Sequence, residues 1–589
     1  MNDQHPPSFR SQPWFVIVLA SFMVFFLSLV ILLYFSWHIG SSWGHFSQHW
    51  PHWKQIVAEY LFHNHFQHGH NYWQWIAEHN FEWHFVVHTG LALAVSLLLA
   101  FGGGRCFYFP GGRDRLRHIS GPQLYWKRNA IKHAQRQLSR ERRDHPQLGL
   151  KLHPDITISR VRESGNIFIG GAQGTGKTVV ITPLIQQVIE RGERAFIYDE
   201  KREFTALFYD SKSCLLVAPW DERSQAWNIS ADASNAPQAQ LIAERLIPDS
   251  SDPLWSNGSR MILAGMIEVL NHTQKQWGWS ELADILSLDE VELHEKLAKH
   301  HPRSARFIAE NSKTTQSFFA QLLGSLGWIY TLADAWPRAY QDGFSITEWT
   351  AQPSMQKSVI IVQADKRFKD VGAPLANTLI ALMTSNILSQ ANTTTRELWL
   401  FLDELANLPR NDSLYEWMCL GRSKGCRIVA GTQSISQLKQ IYSENGADSL
   451  LNMFTMFISM RVGSAGETAS YTAKAFGERE VERPTSSAGP QDHPVLNWHR
   501  ETLPLITASD LVHLPQASRR GVEGFLLIPG WLGVYRLLWP IASLPIQALE
   551  HCPAAWLSKK PPSKATLEVA SSRREQLRRR RHHAVDERY

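Results

Sequence analysis

The stretch Asn166-Ile-Phe-Ile-Gly-Gly171-Ala-Gln-Gly-Thr-Gly-Lys177-Thr178, continued by the apolar-periodic Val179–Glu190, decides the fold. Asn166–Gly170 is a short apolar run that reads as a buried strand, and 179–190 carries apolar residues at helical spacing. Between them lies GxxxxGK[ST] in its confirming context of strand, loop and helix. Through Gly171, Ala172, Gln173, Gly174, Thr175 and Gly176, backbone N–H groups close around phosphate oxygens where no bulky Cβ intervenes. The helix start adds its positive dipole end. Lys177 neutralises the β- and γ-phosphates, and the Thr178 hydroxyl ligates Mg²⁺. The expected cofactors are therefore ATP and Mg²⁺.

A loop of this kind that hydrolyses needs further acids. Leu398-Trp-Leu-Phe-Leu-Asp403-Glu404 supplies them: five apolar residues form a buried strand, and two carboxylates stand at its carboxyl end, where open α/β sheets place their ligands. Asp403 is expected to hold the metal and Glu404 to act as general base on water. Arg427–Thr432 is another apolar run and ends at Gln433, which is placed either to orient water or simply to satisfy a turn. Further strands are predicted at Ala195–Asp199, Cys214–Ala218, Ser358–Gln363, Met456–Met460 and Phe525–Pro529. Their alternation with helical stretches implies an α/β fold with a mostly parallel sheet covered on both faces.

Lys177 and Asp403 are 226 residues apart, so something is inserted. Residues 230–345 read as helices over Ala236–Ile247, Ser259–Asn271, Ser287–His300 and Thr315–Trp336, with Ser287 and Glu290 as a capping box. This gives an all-helical insert domain within a nucleotide-binding domain of residues 161–229 and 346–545.

The 589-residue chain has 60 Lys and Arg against 54 Asp and Glu, a net charge of +6. It is 44% hydrophobic and 19% charged, which excludes a largely disordered chain. Cys106, Cys214, Cys419, Cys426 and Cys552 show no CxxC spacing, which excludes a disulfide scaffold and argues against a structural zinc site. The positive charge is concentrated. Residues 105–160 carry a net +9 and residues 555–589 a net +6, leaving −9 elsewhere. A DNA-coating surface is not indicated.

Trp14–Phe35 is an uncharged run of 22 residues, about 33 Å long as a helix against a bilayer core of about 30 Å. It is too long for the apolar core of a signal peptide. Phe85–Phe101, ending in Gly102-Gly103-Gly104 and Arg105, is a second span. Residues 1–104 thus form a transmembrane anchor. Arg113, Arg115, Arg117, Lys127, Arg128, Lys132 and Arg136 follow it, whereas the loop between the spans has only Lys54. The positive-inside rule puts both termini in the cytoplasm and residues 38–83 outside. The basic segment 105–160 is suited to anionic lipid, or else to nucleic acid. His63, His65, His68 and His70 offer zinc or copper ligands, with no Cys or Asp accompanying them in the loop. The alternative is a pair of amphipathic helices, Trp53–Phe66 and Trp73–His84, on the membrane or a partner.

Two spans, the stretch RHISGPQLYWKRNAIKHAQRQ, the phosphate loop, YDEKREF, APWDERSQAWN, LWLFLDELANLPR, GRSKGCRIVAGTQSISQL and FISMRVG occur in that order. Together they resemble type IV secretion coupling proteins, in particular the TraD kind of conjugative systems. The resemblance covers roughly residues 10–540. It implies a RecA-like P-loop motor with an all-helical domain, anchored in the bacterial inner membrane as a homo-hexamer with the motor in the cytoplasm. It also implies an ATPase that moves relaxase-bound single-stranded DNA to the secretion channel. Lys177, Thr178, Asp403, Glu404 and Gln433 fall on the family's nucleotide-site positions. Arg422 and Arg461 are candidates for an arginine supplied by a neighbouring subunit. Arg202 stands where the family usually has Gly, and Ala218 where it has Asn. The tail, residues 546–589, is basic and includes Arg578–Arg581, fitting DNA, an acidic partner or a solvated end. Two rival functions are a nucleotide-switched substrate adaptor without pumping, and an FtsK-like chromosome pump.

Overall fold

The computed structural model describes residues 14–39, 45–62, 67–107, 116–250, 252–310, 312–351, 357–392, 397–488 and 494–558. They belong to two compact units: residues 1–117 with 483–499, and residues 118–482 with 500–589. Arg113, Arg115, His63, His65 and the Arg578–Arg581 run lie outside the described residues.

The first unit holds helices Trp14–Ile39, Phe46–Phe62, Gln67–Glu78 and Glu82–Phe107. Ile17–Ser36 and Glu82–Arg105 are long and apolar enough to cross a bilayer. Both helices outrun the spans expected at Trp14–Phe35 and Phe85–Phe101. The triple glycine does not end the second helix. A Cβ on Gly104 would overlap Ser21 Oγ, and one on Gly103 would lie 3.2 Å from Val24 Cγ2. The glycines instead let the two helices approach closely, as small residues do in lipid. Ser36 Oγ and His88 Nδ1 add a 2.9 Å hydrogen bond between them. The loop between the spans is helical at Phe46–Phe62 and Gln67–Glu78, earlier in the chain than the helices expected from Trp53 and Trp73. Glu59 receives the Gln67 and His68 amides at 3.0 and 2.8 Å, fixing the start of the latter helix. Among the described residues no cluster of three metal-ligating side chains occurs.

The second unit is built on a ten-stranded sheet. Its order is Gln123–Trp126, Gly533–Trp539, Val522–Leu527, Met456–Ser459, Ile167–Gly170, Cys426–Thr432, Leu398–Leu402, Arg194–Asp199, Val359–Gln363 and Cys214–Val217. The seven strands from Met456–Ser459 to Cys214–Val217 run parallel. Their side chains are almost all buried, because helices cover both faces; continuous apolar runs such as LWLFL are what that environment requires. Each such Val, Leu, Ile or Phe contributes about 1.5–3 kcal/mol of burial. Lys366–Ser389 is also long and apolar, but 72% of its apolar window is buried, so it is an interior helix.

Between strands Cys214–Val217 and Val359–Gln363 the described residues form ten helices and no strand, from Ile229–Asp232 to Ile346–Ala351. Buried Asp232 clasps the two ends of this interval. Its carboxylate accepts from Trp227 Nε1, Ser345 Oγ and the amides of Ile346 and Thr347, at 2.6–2.9 Å. Two expectations are corrected. Asp289, not Ser287, caps helix Glu290–His300, accepting from the Glu292 amide at 2.9 Å, because Ser287 closes the preceding helix Trp279–Leu286. The helix expected over Thr315–Trp336 is two, Lys313–Leu326 and Ile329–Ala335, divided at Gly327.

Candidate active site

Ile167–Gly170 delivers the phosphate loop at the carboxyl end of the sheet, and Lys177–Glu190 begins directly after it. The loop is pinned from two sides. The Gly171 amide donates to Thr432 O at 3.2 Å, and the Ala172 amide to Arg461 O at 2.9 Å. Gly174 and Gly176 have φ of +72° and +91°, which favours glycine. A Cβ on Gly176 would also come within 2.5 Å of Val522 Cγ1. Thr178, half-buried, opens the helix.

Strand Leu398–Leu402 lies two places from Ile167–Gly170, across Cys426–Thr432, which pairs with both, and brings Asp403 and Glu404 to the same end. Lys177, Asp403 and Glu404 are 7%, 4% and 3% exposed, so the three meet in a buried pocket despite their separation in the chain. Lys177 Nζ donates to Gly171 O at 2.8 Å and lies 3.7 Å from Glu404 Oε2. Burial pushes the Lys177 pKa down, with Glu404 and Asp403 opposing. Burial likewise pushes Asp403 up, with Lys201 and then Lys177 opposing.

Glu404 is oriented by one oxygen. Oε1 accepts from Thr432 Oγ1 at 3.0 Å and from the Gln433 amide at 3.1 Å. Oε2 makes no hydrogen bond, nor does Asp403 Oδ1. Such buried carboxylate oxygens are costly unless something charged uses them. Beside a hydroxyl and a lysine, this donor set suits a divalent cation and a phosphate chain.

Gln433 thus meets the site through its main chain. Arg461 also approaches through its main chain, at the Ala172 contact. Arg422 is exposed in the turn Gly421–Lys424, before Cys426. Strand Cys426–Thr432 then carries the chain across the sheet, roughly 23 Å at about 3.3 Å per residue. Within one chain, therefore, Arg422 stays away from Lys177.

Three participants have no place in the expected set. Lys201 Nζ lies 3.8 Å from Asp403 Oδ2. Asp199 accepts from the Thr205 amide and hydroxyl at 2.7 and 2.8 Å; burial pushes its pKa up to about 6 against these bonds. Thr432 orients Glu404. The signal for the first two was YDEKREF itself, an apolar strand ending in charged residues just as LWLFLDE does. Arg202, which replaces the usual glycine, adopts φ +65°, the left-handed conformation glycine takes without strain. Its guanidinium is tied to Asp365.

Residues 151–539 match the family described as type IV secretion-system coupling protein DNA-binding domain. The chain belongs to this coupling-protein family. Coupling protein TraD of Escherichia coli (strain K12) is 25% identical over 408 residues, 68% of this chain and 56% of TraD. The chain therefore spans just over half the length of that relative. Among solved structures, the conjugative coupling protein TrwBΔN70 aligns with TM-score 0.61 at 21% identity, over 76% of this chain and 98% of TrwBΔN70. TrwB with the ATP analogue ADPNP aligns with TM-score 0.61 at 22% identity, over 76% and 99%. TrwB with ADP and Mg²⁺ aligns with TM-score 0.59 at 21% identity, over 75% and 99%. The coupling protein thus shares the TrwB fold, a RecA-like nucleotide-binding sheet with a helical domain.

Proposed function

We propose that this coupling protein is a membrane-anchored ATPase that drives relaxase-bound single-stranded DNA toward a type IV secretion channel. The observation that carries the reading is the meeting of Lys177, Asp403 and Glu404 in one buried pocket at the end of a parallel sheet. The complexes of TrwB with ADPNP and with ADP and Mg²⁺ support ATP and Mg²⁺ as the ligands.

The loop from Gly171 to Gly176 binds the phosphates through its amides, and Lys177 leaves Gly171 O to neutralise the terminal phosphates. Thr178 and Asp403 would hold the magnesium, which when bound would supply positive charge to the phosphate oxygens. Glu404 takes the proton of the attacking water on Oε2, while Thr432 and the Gln433 amide keep Oε1 in place. Arg422, exposed at the opposite sheet end, serves the site of a neighbouring subunit. A head-to-tail contact of this sort gives a ring when its rotation closes, the arrangement that the proposed homo-hexamer requires. Arg461 holds the phosphate loop of its own chain. The domain limits proposed are the anchor at 1–104, the basic segment at 105–160, the motor at 161–229 and 346–545, the helical insert at 230–345 and the tail at 546–589. The spans and the basic residues after Arg105 support an inner-membrane location with the motor in the cytoplasm.

The test is ATP hydrolysis by the full chain in detergent, with and without single-stranded DNA. The expected result is DNA-stimulated turnover that Lys177→Ala abolishes while membrane insertion persists. Turnover indifferent to DNA favours the adaptor reading, and DNA transfer at the normal frequency by Lys177→Ala refutes the motor.

A further inference from the structure

Within the first unit, the end of helix Trp14–Ile39 and the helix Phe46–Phe62 border a cavity of about 300 Å³, at the small end of the range for ligand pockets. Its walls are Val30, Leu33, Tyr34, Phe46, Trp50 and Val57, and Lys54 lies among them. The rings form a ladder: Tyr34 to Phe46 is 5.7 Å between centroids, and Phe46 to Trp50 is 5.4 Å. Val30, Tyr34, Trp50 and Val57 remain 46–60% exposed, so the apolar wall is open at one side.

The cavity's depth is set by the chain. Val30 to Tyr34 occupy the last turns of the apolar segment Ile17–Ser36, and the second apolar segment, Glu82–Arg105, ends at the other side of the bilayer. The cavity therefore sits at headgroup level in the leaflet opposite the Arg105 end, where aromatic rings prefer to lie. Its charge is equally defined. Lys54 is the only Lys or Arg between residues 38 and 83. Among the described residues it makes no ion pair or hydrogen bond. The nearest acid in sequence, Glu59, already holds the Gln67 and His68 amides. An apolar groove at a membrane surface with one exposed, unpartnered ammonium group at its edge is complementary to an acyl chain carrying an anionic phosphate. A second copy of this face would bring apolar side chains but set another Lys54 against the first, and like charges repel.

We propose that this cavity binds one anionic phospholipid, its acyl chain against Val30, Phe46 and Val57 and its phosphate paired with Lys54. The inference rests on the two spans and is independent of the motor reading.

The experiment places full-length protein in phosphatidylcholine nanodiscs containing phosphatidylglycerol, exchanges them into detergent, and counts the retained lipid by native mass spectrometry. One phosphatidylglycerol per chain is expected, in preference to phosphatidylcholine. Lys54→Gln should weaken retention about fivefold, the effect of one basic residue near a charged lipid surface. Val57→Trp, which fills the groove and leaves the ammonium in place, should also lose it, and Lys296→Gln, on the exposed side of helix Glu290–His300 in the second unit, should not. Melting temperature in detergent checks that each variant is folded. Equal retention of the two lipids, undiminished retention by Lys54→Gln or Val57→Trp, or no retained lipid overturns the proposal. So does crosslinking of Lys54 to a channel protein in place of lipid.

Discussion

Gly431 has no assigned role at the site, yet replacing it with alanine tests whether the position of the paired acids governs turnover. It stands in strand Cys426–Thr432 beside Asp403. A Cβ there would overlap the Asp403 carbonyl oxygen and lie 3.3 Å from its carbonyl carbon. Both partners are backbone, so no flexible side chain can yield. The contact must open by roughly 1 Å or more to reach ordinary packing separation. Overpacking of this kind costs about 1–3 kcal/mol, or roughly 1–3 °C in melting temperature for a unit this large. The shift falls on the residue that carries Asp403 and precedes Glu404. A displacement near 1 Å at reacting groups costs about 10²-fold in rate. Nucleotide affinity should change less than turnover, because the clash falls on Asp403 and the Ala172 contact with Arg461 O lies outside it. The assay pairs ATP turnover with binding of a fluorescent ATP analogue on the full chain. Gly431→Ala should keep the analogue and lose at least tenfold in turnover. Turnover within twofold of wild type, with the melting temperature lowered as expected, would refute the reasoning that the spacing of these two strands positions the acids.

Three other outcomes follow from the same geometry. Glu404→Gln keeps an oxygen for Thr432 and the Gln433 amide but cannot take a proton; it should bind nucleotide normally and hydrolyse about 10²–10⁴-fold more slowly. Normal turnover by that variant would move the base elsewhere. Asp199 has its pKa raised from 3.8 to about 6 in the fold, so its contribution is complete below pH 3.8 and is lost as pH rises through 6, by about 3 kcal/mol at most. Asp199→Asn preserves an acceptor for Thr205 and removes that loss. Without magnesium, its melting temperature should fall less than wild type between pH 5 and pH 8, and parallel profiles would count against the assignment. Gly104→Leu places a side chain where Ser21 Oγ now packs and should lower the anchor's thermal stability in detergent by about 1–3 kcal/mol, leaving ATP binding unchanged. An unaltered melting curve would show that the two helices do not depend on this close approach.

What could be read before folding, and what could not, divides along one physical line. Ile167–Gly170, Arg194–Asp199 and Leu398–Leu402 are buried on both faces, so burial alone demands unbroken apolar runs, and the chemistry is whatever follows the run. That makes Lys177, Asp403 and Glu404 legible. Strand Gln123–Trp126 escapes the same reading because it is an edge strand with none of its residues buried, and Gly533–Trp539 beside it, though mostly buried, has its apolar run broken by Arg536, which stacks on Trp126 at 4.6 Å. Glu478–Ala488 and Pro494–Pro504 are strands that read as polar loop. Main-chain work is hidden for a different reason. The Gln433 amide and the Arg461 carbonyl act at the site whatever their side chains are, so residue type misdirects attention to the amide and guanidinium groups. Lys201 belongs to a third class. Its spacing from Asp199 is plain, but its target is 202 residues away in the chain, and only the parallel pairing of Arg194–Asp199 with Leu398–Leu402 brings it to Asp403. Burial is the first reason Asp199 is costly to ionise, and the same pairing adds a second: two strand ends carry two carboxylates to one side of the sheet, where lysines oppose the charge of Asp403 while Asp199 is opposed by hydrogen bonds from Thr205 and the Phe204 amide.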